Sequence, residues 1–216
     1  MGRIKKRIVL LGIDNAGKTS IMRYLKKRGK LPDDTPPMPT VGFSTSTIVH
    51  HVGRDVLEIT CFDVGGQHKM RELWPQYCHA TNGLLVVVDS NDHDRIPEVK
   101  RELTRLISIV DLSNASVLLL ANKQDQPHAI SPQEVAARLG LADMPLAQWH
   151  VAGTVGIDGT GIDAGFDWLA STLVVPRKGS RLSSSWLSLG CSGSPRRSSD
   201  MRDEVMSPGK TSDLSR

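Results

Sequence analysis

Long hydrophobic runs are missing from this 216-residue chain. No apolar stretch approaches the roughly 18 residues that a membrane-spanning helix needs. Met1 to Arg7 is mostly basic and lacks the apolar segment of a secretory leader. Both absences point to a cytosolic or nuclear protein. Cysteine is equally sparse. Cys61, Cys78 and Cys191 form no pair at metal-ligand spacing, and an odd count argues against a disulfide framework. Cys61 and Cys78 read as buried thiols of a reducing compartment. No internal repeat is visible. A dominant charge is also missing, although the formal net charge is +4. Residues 1–176 carry 19 basic and 19 acidic side chains, whereas 177–216 carry 8 basic and 4 acidic. The excess belongs to the C-terminal stretch, and no nucleic-acid partner is expected.

What is present begins with Gly12-Ile13-Asp14-Asn15-Ala16-Gly17-Lys18-Thr19. The apolar run Ile8–Leu11 feeds into it and a helix-like run, Ser20 to Lys27, follows. Strand, glycine-bounded loop, lysine-hydroxyl pair and helix form the order G-x-x-x-x-G-K-[ST] of a phosphate-binding loop. Glycines let successive backbone N–H groups turn inward and form an anion nest. The following helix adds its positive N-terminal dipole. Lys18 is a point charge for the β- and γ-phosphates, and the Thr19 hydroxyl is a hard oxygen ligand for Mg²⁺. The bland alternative is a glycine-containing turn that binds nothing.

Apolar periodicity then alternates between strand and helix. Residues 7–13 read as a first strand and 18–28 as a helix ending near Gly29. The proline-rich segment 31–39 can be neither helix nor inner strand. Stretches 44–52 and 55–63 form a hairpin about Gly53-Arg54. Residues 68–79 read as a short, imperfect helix, and 83–89 and 116–121 as fully buried strands. Residues 95–110 show helical spacing through Ile96, Val99, Leu103, Leu106 and Ile107. Ser131, Pro132 and Glu134 resemble a capped helix start, with a stop at Gly140. A last strand spans 148–154 and a last helix 161–174. The pattern predicts an α/β domain over residues 1–176: a parallel sheet covered on both faces, with one antiparallel edge strand. Residues 177–216, with twelve serines and one aromatic, read as a disordered tail. Within it, Ser194–Ser198 resembles a phosphorylation site, and Leu182, Trp186, Leu187 and Leu189 a short docking patch. Serine-rich basic sequence produces such matches by chance. The basic residues Arg3, Lys5, Lys6, Arg7, Lys26, Lys27, Arg28 and Lys30 are either a solvated face or a contact for anionic lipid or an acidic partner.

Three further clusters carry chemistry. Asp63-Val64-Gly65-Gly66-Gln67 follows a strand; a carboxylate there can hold a Mg²⁺-bound water. Gly66 can bring a backbone N–H to a γ-phosphate, and Gln67 can orient a water for in-line attack. Asn122-Lys123-Gln124-Asp125 follows the strand 116–121, at the mouth where such sheets bind ligands. An aspartate there accepts the N1–H and 2-amino group of guanine. Adenine offers neither, and would leave a buried carboxylate unpaired. Thr40, at the end of the proline-rich loop, can complete a Mg²⁺ shell when a γ-phosphate draws the loop inward.

Together, Gly12–Thr19, Pro39-Thr40-Val41-Gly42-Phe43, Asp63–Gln67 and Asn122–Asp125 resemble a small GTPase, and in their particular form the ADP-ribosylation-factor and Arf-like branch. Leu73-Trp74, Val88–Asp92 and Phe166–Leu169 add to the likeness, which runs from about residue 7 to 174. The resemblance implies a six-stranded Ras-like fold and a GTP/GDP switch. It implies phosphate contacts from Gly12, Asp14, Asn15, Ala16, Gly17, Lys18, Thr19, Ser20, Thr40 and Gly66, with Gln67 and Lys18 catalytic. Mg²⁺ would be held by Thr19 and Thr40, with Asp63 acting through water. Guanine would be read by Asn122, Lys123, Asp125 and a Gly156 N–H to O6. Phe43, Phe62 and Tyr77 match the family's effector-facing aromatic trio, with Phe62 where Trp is frequent. An exchange factor, an activating protein and effectors are implied, as are a cytoplasmic location, peripheral contact with intracellular membranes, and a trafficking, ciliary or cytoskeletal role.

This chain departs from the family in several places. The amphipathic N-terminal helix is essentially absent, and Lys6 breaks the myristoylation pattern that Gly2 would begin. The loop before Thr40 and the hairpin are each about four residues longer than usual, an even insertion that keeps strand faces in phase. The late guanine loop reads Val155-Gly156-Ile157, which predicts looseness. No arginine finger is evident, and Asp14 stands where it would crowd a γ-phosphate; both features favour slow intrinsic hydrolysis. A non-hydrolysing GTP-binding scaffold is the competing reading. A P-loop kinase is disfavoured because Asn122–Asp125 has no role there.

Overall fold

The apolar runs become the inner strands of one six-stranded sheet. The computed structural model describes residues 3–27, 42–146 and 148–174. The strands are β1 (Arg3–Leu11), β2 (Phe43–Val52), β3 (Asp55–Val64), β4 (Gly83–Asp89), β5 (Ser116–Asn122) and β6 (Gln148–Gly153). They lie in the order β2-β3-β1-β4-β5-β6, with β2 antiparallel to β3 and every other pairing parallel. The helices are α1 (Lys18–Lys27), α2 (His68–Arg71), α3 (Trp74–Cys78), α4 (Ile96–Ile109), α5 (Pro132–Leu139) and α6 (Ile162–Leu173).

Strand β4 is buried along its whole length because both faces are covered. Leu84, Val86 and Val88 pack with Val99, Leu103 and Leu106 of α4 and Val135 and Leu139 of α5. Leu85 and Val87 point the other way, to Ile21 and Leu25 of α1 and Phe166 and Leu169 of α6. Each such side chain contributes about 1.5–3 kcal/mol on burial. The two cores hold the strand ends, and therefore the loops after β1, β3, β4, β5 and β6, in fixed relation.

Two boundaries differ from the sequence pattern. Strand β1 begins at Arg3 rather than near residue 7, because β3 is long enough to pair with it from Arg3 opposite Val56 onward. The segment 68–79 is two short helices instead of one. Pro75 has no N–H to give the Arg71 carbonyl, so the α-helical ladder stops and restarts at Trp74. The hairpin runs unbroken from Phe43 opposite Val64 to Val52 opposite Asp55, as the even insertion requires. Ser131 caps α5 by accepting from Glu134 N at 3.2 Å, while the Glu134 carboxylate takes Arg138 Nε at 2.8 Å. Gly2, Thr40, the whole proline-rich segment 31–39, Arg28, Lys30 and the tail 177–216 lie outside the described residues.

Candidate functional site

The buried run Ile8–Leu11 ends at the C-terminal edge of the sheet, and the loop that follows wraps back onto itself. Lys18 Nζ donates to Gly12 O at 2.8 Å and Ile13 O at 2.9 Å. Burial pushes its pKa down to about 8, with the Asp63 and Asp14 charges pulling the other way. Thr19 and Ser20 follow on the first turn of α1, and Asn15 takes a positive φ of 62° at the exposed tip. One loop thus carries a buried ammonium, a hydroxyl and a helix N-terminus, the elements of an anion site.

A cleft of about 620 Å³ opens beside this loop. Asn15, Gly17 and Ser20 line one end, and Asn122, Asp125 and Gly156 the other. A direct bond joins the ends: buried Asn122 donates Nδ2 to Ala16 O at 2.9 Å and accepts from Thr154 Oγ1 at 3.2 Å. Lys123, at φ 65°, is tethered by its ammonium to Asp89 Oδ2 at 2.6 Å. Asp125 was expected to be buried, but it stands exposed at the cleft mouth and accepts from Gln126 Nε2 at 2.9 Å. Its desolvation therefore comes only when a base covers it.

The late loop is tied down rather than loose. Val155 is buried, its N–H donates to Thr160 O at 3.0 Å, and Gly159 N donates to Val155 O at 2.9 Å. Gly156 sits so near Asn122 that a Cβ on it would be 3.2 Å from both side-chain polar atoms.

On the opposite side, Gly66 rests on the phosphate loop so closely that a Cβ would overlap the Gly12 carbonyl and the Ile13–Asp14 peptide. Its carbonyl accepts from Asp14 N at 3.1 Å and from Arg71 Nε at 2.7 Å. Asp63 is buried at the end of β3, and Gln67 is exposed at the start of α2. Asp14 is paired with two arginines at the exposed side of the loop. Its carboxylate turns to Arg71 Nη2 at 3.0 Å and Arg95 Nη2 at 2.8 Å. The Arg95 hydrogen bond holds it below the usual carboxylate range. Glu98 receives Arg71 Nη1 at 2.7 Å and Arg95 Nε at 2.8 Å, and its pKa is lowered by Arg71 first and then Arg95. Nothing in the motifs pointed to Arg71 or Arg95, because their partners are 57 and 81 residues away in sequence.

The aromatic trio forms a separate surface. Phe43 is half exposed and its ring lies 5.0 Å from that of Tyr77. Arg7 stands over Phe62, 4.1 Å from the ring centroid, and donates to Tyr77 O at 2.8 Å. Arg7 is therefore part of this aromatic surface and not a free member of the basic cluster.

For Mg²⁺, the donor set fits. The Thr19 hydroxyl and Asp63 carboxylate are hard oxygens, and among the described residues no group of three or more His, Cys, Asp or Glu could hold a metal alone. Mg²⁺ takes few protein ligands and completes its shell with water and phosphate. Thr40, the other expected ligand, lies outside the described residues.

Comparison with known proteins places the chain beside a family and a solved relative. A model described as the ADP-ribosylation factor family matches residues 2–173. The Arl6 (BBS3) small GTPase from Trypanosoma brucei, solved with the nucleotide analogue GppNp bound, is 30% identical, with a TM-score of 0.67. That match covers 79% of this chain and 98% of the other.

Proposed function

As a member of the ADP-ribosylation factor family this chain is a GTP-binding switch that hydrolyses GTP, and we propose that its cleft holds GTP or GDP between the phosphate loop and Asn122–Asp125. The observation that carries this reading is the Asn122–Ala16 bond, which locks the base end and the phosphate end of one cleft together. Lys18 and backbone N–H groups of the phosphate loop take the phosphates, with Ser20 beside them; the Asp14 N–H, which now donates to Gly66 O, joins them when Gly66 turns toward the γ-phosphate. Asp125 and Gly156 read guanine, and Lys123, held by Asp89, lays its stem along the base. Thr19 and Thr40 would hold Mg²⁺, with Asp63 acting through water, and the ion would supply charge neutralisation at the phosphates. Gln67 orients the attacking water and the Gly66 N–H meets the γ-phosphate.

Family members work with regulators and effectors. The proposal extends to an effector docking on Phe43, Phe62 and Tyr77, and to an activating protein that supplies an arginine in trans. The proposed setting is intracellular membrane trafficking or ciliary and cytoskeletal regulation, in the cytoplasm and in peripheral contact with membranes. Single-turnover phosphate release tests the chemistry, once GTP but not ATP has been found to displace bound GDP. Slow release, lowered at least tenfold in Gln67→Leu with GTP affinity unchanged, is expected. Tight GTP binding without release, even with activators added, would favour the scaffold.

A further inference from the structure

Tyr24 has no role in the motifs above, yet it reaches from the phosphate-loop helix to the loop that carries Gly156. It lies on α1, the helix that begins with Lys18 and Thr19, and it packs on the core around Ile21, Leu25 and Phe166. Its ring fills the space beside Gly159, which stands at φ 91°; a Cβ there would overlap ring atoms Cδ2, Cε2 and Cζ. Its hydroxyl donates to Asp163 Oδ2 at 2.7 Å, in the first turn of α6. Gly159 is the hydrogen-bonded corner of the late loop: its N–H goes to Val155 O, and its carbonyl accepts from Ile162 N at 3.1 Å. The loop's own hydrogen bonds tie it to itself, and its tip projects outward, with Ile157 82% exposed. Ring and hydroxyl together hold the C-terminal side of the segment that carries Gly156.

We propose that Tyr24 is a positioning residue that braces the loop Val155–Gly161 against the phosphate-loop helix, and so sets how long a guanine nucleotide stays bound. The inference rests on the reading of the cleft as a guanine-nucleotide site. Release of the base requires the loop to yield, and the brace raises the cost of that movement. Hydrolysis takes place at the other end of the nucleotide and does not use it. Loss of the brace therefore raises the dissociation rate of GDP and leaves the hydrolysis step alone.

The test is dissociation of a fluorescent GDP from the full chain with Mg²⁺, alongside single-turnover hydrolysis of preloaded GTP. Tyr24→Phe keeps the ring and removes the hydroxyl; Asp163→Ala removes its acceptor. Each is expected to release GDP about threefold faster, and the double variant no faster than either single, since one hydrogen bond is lost in all three. Tyr24→Ala, which also removes the ring, is expected to release it about tenfold faster or more. Hydrolysis in every variant should stay within about twofold of the parent. Unchanged GDP release in Tyr24→Phe and Tyr24→Ala overturns the brace while leaving the guanine-switch reading intact. Release and hydrolysis altered by the same factor also overturn it, since that marks general loosening. Failure of the parent chain to hold GDP overturns the guanine reading and the brace with it.

Discussion

Truncating Arg71 would strip a donor from the Gly66 carbonyl, the Glu98 carboxylate and Asp14 at once. Arg71 is almost fully buried, whereas Glu98 and Asp14 keep partial access to water. The exposed partners recover some solvation, so Arg71→Ala is expected to lower stability by about 2–4 kcal/mol, below the extreme for a fully buried pair. Urea denaturation measures it, and a loss under about 1 kcal/mol would mean that the site re-pairs around water. Arg71→Lys should recover little, because an ammonium cannot serve divergent partners as a planar fork does. Lys18 has a different signature. Its pKa of about 8 in the fold lies below the 10.5 of the free side chain. Between those values the unfolded chain holds the extra proton and stability rises with pH; below about 8 both states hold it and the penalty is complete. A phosphate beside the ammonium favours the charged form, so nucleotide binding above about pH 8 takes up protons. Affinity should then fall by up to about tenfold per pH unit. Calorimetry at pH 9 in buffers of different ionisation heat measures the uptake, and a value of zero there would contradict it.

Among the elements, α2 and α3 carry the part of the site that the motifs left least defined. Pro75 divides them, and Trp74, the first residue after the break, turns its indole inward to donate Nε1 to Gly65 O at 3.2 Å. A ring bonded to the strand-end glycine senses any shift of the Asp63–Gln67 segment. Exchange of GDP for a non-hydrolysable GTP analogue is expected to change tryptophan fluorescence, and Trp74→Phe to abolish the change despite Trp149, Trp168 and Trp186 elsewhere. A signal that survives Trp74→Phe would assign the report to another ring. Most elements could be read directly from the chain because their cause is local. The apolar runs of β4 and β5, the i, i+3, i+4 spacing of α4 and the Ser131 cap each act within one turn or one strand. The start of β1 could not, since Arg3 to Lys6 are extended only because β3 lies alongside.

For the whole molecule, what the sequence could not disclose is mostly what crosses between elements. The phosphate loop and Asn122–Asp125 were recognisable as separate motifs, and their convergence follows from strand order. The Asp14–Arg71–Arg95 cluster and the Tyr24–Gly159 contact have no spacing signature, because each joins parts of the chain brought together only by the folded sheet and its helices. That sheet has one more consequence. β1, the first strand to be synthesised, ends in its middle, with β3 on one side and β4 on the other. As the chain leaves the ribosome, Ile8 to Leu11 have no neighbours until the residues opposite them, Cys61 to Asp63 and Gly83 to Val86, have emerged. The segment that leads into the phosphate loop is thus made well before either strand that shelters it. Contacts so distant along the chain slow folding. The nascent protein accordingly passes through part of its synthesis with the apolar end of β1 bare, the interval in which a chaperone would find it.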